Sequence, residues 1–238
     1  MTDVASLWSY LATTPLIWLT TTILAYLVAD RLARRLGNPP WANPVLVSVL
    51  LIAPVLWLTG TGYTTYFEGA QFIHFLLGPA TVALALPLWD NRDTIRTSVA
   101  PILLALLAGS IVAAGSAILL ARAFGLPTEI LLSLAPKSTT APVALGISEA
   151  VGGVPALTAV LVILTGIIGA VTVTPMMNLL RISDWRARGF AVGVAAHGIG
   201  TARAFQVNPV AGAYAGIAMA LNALLTSLIV PVLVRWLV

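Results

Sequence analysis

Cysteine is absent from the chain and lysine nearly so, with Lys137 alone among 238 residues. The first absence excludes disulfides, thiol catalysis and cysteine-ligated metal. Charge of either sign is scarce as well. Charged residues make up 8% of the chain, against about 25% in soluble proteins. No His, Asp and Glu grouping has metal-ligand spacing, and no Gly-rich phosphate loop follows a strand, so neither metal nor cofactor is expected. The start, Met1-Thr2-Asp3-Val4, has no basic n-region, so no cleavable signal is expected. The formal charge of +4 resides in arginines that flank apolar runs. Such flanks set membrane topology and do not form a nucleic-acid surface.

What is abundant is apolar: 59% of residues are hydrophobic and the mean hydropathy is +1.00. Several apolar runs reach the roughly 20 residues that cross a hydrocarbon core. They are continuous where barrel strands would alternate, which excludes a β-barrel. The class is all-α and polytopic, a single transmembrane domain over 1–238.

The first run, from about Pro15 to Ala29, exits at Asp30-Arg31-Leu32-Ala33-Arg34-Arg35, a cytoplasmic signature. A second, Pro44 to Leu58, ends outside at Tyr63 to Glu68. A third, Ala70 to Leu88, is interrupted at Gly78-Pro79 and returns to Arg92 and Arg96. A fourth runs from Val99 to Ala121. If Glu129 to Ala150 then crossed once, the helix from Pro155 to Leu180 would deliver Arg181, Arg186 and Arg188 to the outside. An even number of crossings repairs this. Pro136, Pro142, Gly146, Gly152 and Gly153 fit a re-entrant hairpin or a pair of half-helices there, with its backbone covered by protein or water. The crossing number of 189–206 stays open, and Val210 to Leu237 is an ordinary span. Ala80 to Leu84 echoes Ala141 to Leu145, a weak hint of inverted repeats whose broken helices meet at the bilayer midplane.

Two constellations suit chemistry. In Pro136-Lys137-Ser138-Thr139-Thr140-Ala141-Pro142, hydroxyls precede a proline that can open a half-helix. Free N–H groups and the helix dipole there favour a carboxylate, and Lys137 adds a full charge. A lysine at membrane depth costs about 2.5 to 3.5 kcal/mol and marks a substrate or ion path; the competing reading is a lysine that snorkels to the interface. In His197-Gly198-Ile199-Gly200-Thr201-Ala202-Arg203, Arg203 can grip a carboxylate, Thr201 can bond it, and His197 is a candidate proton carrier. The bland reading is a packed glycine-rich turn. Thr81, beside Gly78-Pro79, is a further candidate ligand. The pair Lys137-Ser138 evokes a serine–lysine hydrolase, but neighbours in sequence rarely face one another, and no enzyme is expected.

The strings Leu76-Leu77-Gly78-Pro79-Ala80-Thr81-Val82-Ala83-Leu84, Pro136 to Ala144 and His197 to Ala204, with Thr165 to Ala170 between them, resemble the LrgB/CidB family from roughly Val28 to the C-terminus. Val173-Thr174-Pro175 departs from the pattern, which carries a glycine before the proline. The resemblance implies one of two functions. One is transport of small monocarboxylates of the glycolate, glycerate, pyruvate or lactate class, for which His197, by its own chemistry, is the candidate proton carrier. The other is an antiholin-like regulator of murein hydrolases. It also implies a bacterial inner-membrane location and, as partners, a small LrgA/CidA-like membrane protein or further copies of the chain. Positive charge and hydroxyls at membrane depth favour the carboxylate, with Lys137, Ser138, Thr139, Thr140, Thr201, Arg203 and Thr81 around it.

The arginine distribution predicts that the loops at Asn38 and Ser183 face the same side. Single cysteines placed there, in a chain that has none, should label from one face of sealed membranes. Labelling from opposite faces would mean an odd number of crossings between them.

Overall fold

The computed structural model describes residues 15–76, 79, 82–83, 85–90 and 92–238. Contacts divide the chain into two units, 1–81 and 82–238. In lipid no water can serve the backbone, so helices that close their own hydrogen bonds are favoured. Among the described residues all regular structure is helical. The protein is an integral membrane protein: four helices are long and apolar enough to cross a bilayer.

The first unit holds α1 (Pro15–Arg35), α2 (Pro44–Leu58) and α3 (Tyr63–Phe75). The Asn43 side chain caps α2 by accepting from Val45 and Leu46 N–H. Trp18 on α1 is fully buried and meets Tyr66 of α3 edge-on at 6.1 Å, while Thr22 Oγ1 and Tyr66 Oη lie 3.1 Å apart. The third apolar run of the sequence is thus shared between α3 and a short helix of the next unit. Gly78, Ala80 and Thr81 lie outside the described residues, and with them the candidate ligand Thr81 and half of the echo with Ala141 to Leu145.

The second unit comprises α4 (Ala85–Asp90), α5 (Arg92–Thr97), α6 (Val99–Ala123), α7 (Thr128–Leu134), α8 (Ala141–Val151), α9 (Pro155–Leu179), α10 (Trp185–Val207) and α11 (Pro209–Leu237). Helices α6 and α11 end together, where Arg122 Nη1 donates to the Leu237 carbonyl at 2.6 Å. The buried residues Ala114, Ile118, Leu131, Ile147 and Val230 join α7 and α8 to this end.

Helices α7 and α8 form a re-entrant hairpin. Had they run in one direction, Ser133 and Ser148 would be more than about 20 Å apart at 1.5 Å per residue. Instead Thr158 Oγ1, in the first turn of α9, donates to Ser148 Oγ at 2.7 Å and lies 3.1 Å from Ser133 O. The Val154 N–H donates to Ser133 Oγ at 2.8 Å. The stem is therefore closed by hydroxyls, all three of them fully buried. Gly152, at φ 86°, supplies the left-handed turn that ends α8, and a side chain on Gly153 would strike Ser148 and the Leu132–Ser133 backbone. The chain reverses between Glu129 and Ala150, as an even number of crossings requires.

Helix α10, whose crossing number the sequence leaves open, also doubles back. Its outgoing arm ascends α11, with Gly189 against the Ala211 carbonyl and Gly193 against that of Ala215. Helical geometry fails at Ala196 and at His197, whose φ is 41° and ψ −136°. The return arm then descends: Gly198 and Thr201 meet Met219, and Phe205 meets Gly212. The reversal is carried by a histidine in a region few side chains adopt, at a cost of about 1–3 kcal/mol. The two hairpins, residues 128–151 and 185–207, enter from opposite ends of α9. Pro175 leaves α9 unbroken to Leu179, and Val173, in the string where the chain departs from the LrgB/CidB pattern, packs against the second hairpin.

Thr158→Val keeps side-chain volume but leaves the Ser148 hydroxyl without its donor. It should lower stability by about 1 kcal/mol and speed amide exchange in 128–154 ahead of α11. Unchanged exchange in that segment would mean that the hydroxyl stem does not hold the hairpin.

Candidate functional site at the hairpin tips

The tip of the first hairpin, residues 135–140, is built from a helix that stops and another that starts. Lys137 N–H returns to the Leu134 carbonyl at 3.1 Å and Thr139 N–H to that of Pro136 at 3.1 Å. Thr140 is extended, and no side chain caps the N-terminus of α8. Pro142 lies in the first turn, where its missing N–H costs nothing. The N–H groups of Ala141 and Val143 precede the first intrahelical bond, which Ala144 makes to the Thr140 carbonyl. Thr139 is 1% exposed, and the buried hydroxyls of Thr139 and Thr140 have no hydrogen-bond partner. Lys137 is half-buried and its Nζ donates to Ser138 Oγ at 3.2 Å. These sequence neighbours do face one another, contrary to the expectation for a regular element, because the tip is a turn.

A cavity of about 940 Å³ runs from Asp184 and Arg186 to Lys137 and Ser138. Residues of α6, α9 and the outgoing arm of α10 wall it, among them Gly109, Thr165, Ile168 and Phe190, with Tyr214 from α11. At the mouth Arg186 grips Asp184 through Nη2 to Oδ2 at 2.8 Å and Nε to Oδ1 at 3.2 Å. These hydrogen bonds hold the Asp184 carboxyl below its usual range and raise the guanidinium. The pair is therefore charged throughout the physiological range.

The second constellation lies elsewhere. His197 is 4% exposed and its Nε2 is 2.9 Å from the Val162 carbonyl. A carbonyl only accepts, so Nε2 carries the proton and donates. Thr201 Oγ1 donates to the His197 carbonyl at 2.7 Å, within its own helix. Arg203 lines a separate small cavity of about 20 Å³ with Arg188, Trp185 and Met177. The expectation that Lys137 and Arg203 share one cavity is corrected accordingly. Arg203 lies six residues beyond the reversal at His197, about 9 Å back toward the hairpin base. Neither His197 nor Thr201 lines the Lys137 cavity.

What does bring the hairpins together is Asn222, in the middle of α11 and 1% exposed. Its Nδ2 donates to Ser138 O at 3.3 Å and to Val194 O at 3.2 Å. Its Oδ1 accepts from Ser110 Oγ of α6 at 2.6 Å and from Thr226 at 3.2 Å. In the sequence Asn222 is one residue inside the ordinary span from Val210 to Leu237. Its signal was an amide at the centre of an apolar run, where polar side chains serve as interhelical ties.

Residues 22–236 match the family described as LrgB-like. The chain belongs to the LrgB-like family. Bacillus subtilis YwbG is 35% identical over 90% of this chain and 95% of its own length. YxaC of the same species is 38% identical over 91% and 93%. The holin-like protein CidB of Staphylococcus aureus is 33% identical over 92% and 95%. No solved structure matches the chain. Among the described residues of this LrgB-like protein, no three His, Asp or Glu side chains converge as for a metal.

The histidine pin predicts a steric test on α9. A Cβ on Gly166 would lie 2.6 Å from His197 Cε1 and 2.8 Å from Ile199 Cδ1. Gly166→Ala should therefore lower thermal stability in detergent by about 1–3 kcal/mol. Gly115→Ala, with open space around its Cβ, should not. Equal melting of the two variants would show that the second tip yields freely.

Proposed function

We propose that this LrgB-like chain is a membrane transporter of small monocarboxylates, bound at the tip of the first hairpin. One observation carries the reading. Lys137, the free N–H groups of Ala141 and Val143 and the unpartnered Thr139 and Thr140 hydroxyls converge on one re-entrant tip. Lys137 and Ser138 of that tip line the inner reach of a cavity that extends to Asp184 and Arg186. A carboxylate has two acceptor oxygens, which a lysine and a helix N-terminus together can satisfy. Ser138, Thr139 and Thr140 are the donors for a neighbouring hydroxyl or keto oxygen.

The hairpins entering from opposite ends suit alternating access, in which one tip and then the other uncovers a midplane site. Proton coupling through His197 is the less favoured element, because the donor bond to Val162 and the burial of the ring describe a structural pin. Arg203 is assigned away from the substrate. The chain is read as non-enzymatic. An ammonium that donates to Ser138 has no lone pair with which to act as its base. A bacterial cytoplasmic membrane is the proposed location, and a small LrgA/CidA-like protein the proposed partner.

A second reading, an antiholin-like regulator, is favoured by the holin-like name of the Staphylococcus relative. It does not by itself call for a cation and unpartnered hydroxyls on a buried tip. Substrate-dependent uptake by the chain alone, in proteoliposomes, separates the two.

Lys137→Met keeps most of the stem and removes the ammonium. Loss of a charge-assisted contact worth about 1.5–3 kcal/mol should weaken carboxylate uptake at least about tenfold, with monodispersity and melting retained. Lys137→Arg, measured alongside, asks whether charge alone suffices. Wild-type flux in the methionine variant would remove Lys137 from the site.

A further inference from the structure

We infer that Asn222 is the positioning residue that latches both hairpin tips at the midplane, and that either tip opens by releasing it. The inference rests on the transport reading for its consequence, although the latch itself is a statement about the fold.

A primary amide offers two donors and two acceptor lone pairs. Asn222 spends them on four groups. Its acceptor side is anchored to fixed helices, by Ser110 Oγ from the middle of α6 at 2.6 Å and by Thr226, one turn along α11. Its donor side faces the two re-entrant tips, at 3.3 Å to Ser138 O and 3.2 Å to Val194 O. The short bond orients the amide so that both N–H groups point at the hairpins. The two longer ones are the bonds that break when a tip moves.

The position gives the latch its consequence. Ser138 is adjacent to Lys137 and lines the same cavity, and Val194 lines it from the outgoing arm of the second hairpin. Movement of the first tip breaks the bond at Ser138, and movement of the second breaks the bond at Val194. Each release leaves one donor of a buried amide unmet, so releasing both tips together costs about twice as much as releasing one. Asn222 thereby favours one open tip at a time.

The test is hydrogen exchange with mass spectrometry on the full chain in nanodiscs, comparing wild type, Asn222→Leu and Asn222→Asp. Leucine removes both donors, and aspartic acid retains at most one in either protonation state. Exchange in Asn222→Leu should accelerate at least about fivefold in both 133–141 and 191–198, with α9 and the distal half of α6 unchanged. Asn222→Asp should show a smaller increase in the same two segments. Acceleration at one tip or neither overturns the latch. So does acceleration spread over all helices, or failure of both variants to yield monodisperse protein, because each marks a general packing role.

Carboxylate flux is measured on the same samples. If wild type transports, Asn222→Leu should lower kcat more than it raises KM, since the amide meets the backbone carbonyl of Ser138 and none of the groups proposed to hold the carboxylate. Absence of wild-type flux would count against the transport reading and leave the exchange result to decide the latch.

Discussion

A bilayer interior offers no partner for an unpaired backbone group, and the second unit of this protein is organised around two places where that demand is hardest to meet. Each re-entrant hairpin ends in a tip whose carbonyls and N–H groups a continuing helix no longer completes. The solutions differ. The first hairpin is stitched at its stem by Ser133, Ser148 and Thr158 and at its tip by Asn222. The second is pinned by His197 to the Val162 carbonyl and by Asn222 to Val194. After these ties, two buried hydroxyls and the start of α8 still lack partners at the first tip. An unmet group of this kind is where a polar ligand gains most.

Charge is distributed by the same logic. Arg186 is paired to Asp184 at the cavity mouth, and Arg188 donates to Ile182 O and Asn178 and stacks over Trp185 at 4.8 Å. Lys137 has a neutral hydroxyl as its hydrogen-bond acceptor. A partly buried cation whose hydrogen-bond partner is neutral is under-compensated. This contrast, more than the number of cations, distinguishes the Lys137 tip from the arginine-rich base of the second hairpin.

Much of this was legible in the sequence because prolines and glycines punctuate it. Pro136, Pro142, Gly152 and Gly153 marked the first hairpin, and the arginines after Leu180 required an even number of crossings before it. The second hairpin was harder to read because its glycines do other work. Gly189 and Gly193 admit the α11 backbone, while the reversal falls at His197, a residue type that gives no such warning. Arg203 was grouped with Lys137 on chemistry alone, and a reversal six residues upstream carried it away. Asn222 was visible as an oddity in an apolar span, but a hub that joins α6, α11 and both tips is a property of packing that no linear pattern contains.

The contact of Gly189 and Gly193 with the carbonyls of Ala211 and Ala215 also limits how the second hairpin can travel. Two helices with side chains between them can slip by a turn and re-engage equivalent ridges. Here a slip of one turn, about 5.4 Å, would bring the Trp185 ring to the Ala211 carbonyl, or that of His197 to the Ala215 carbonyl. The outgoing arm and the first half of α11 therefore share a fixed axial register. The freedom left to the second hairpin is a tilt about its base, which lifts the tip, and Val194 with it, off α11.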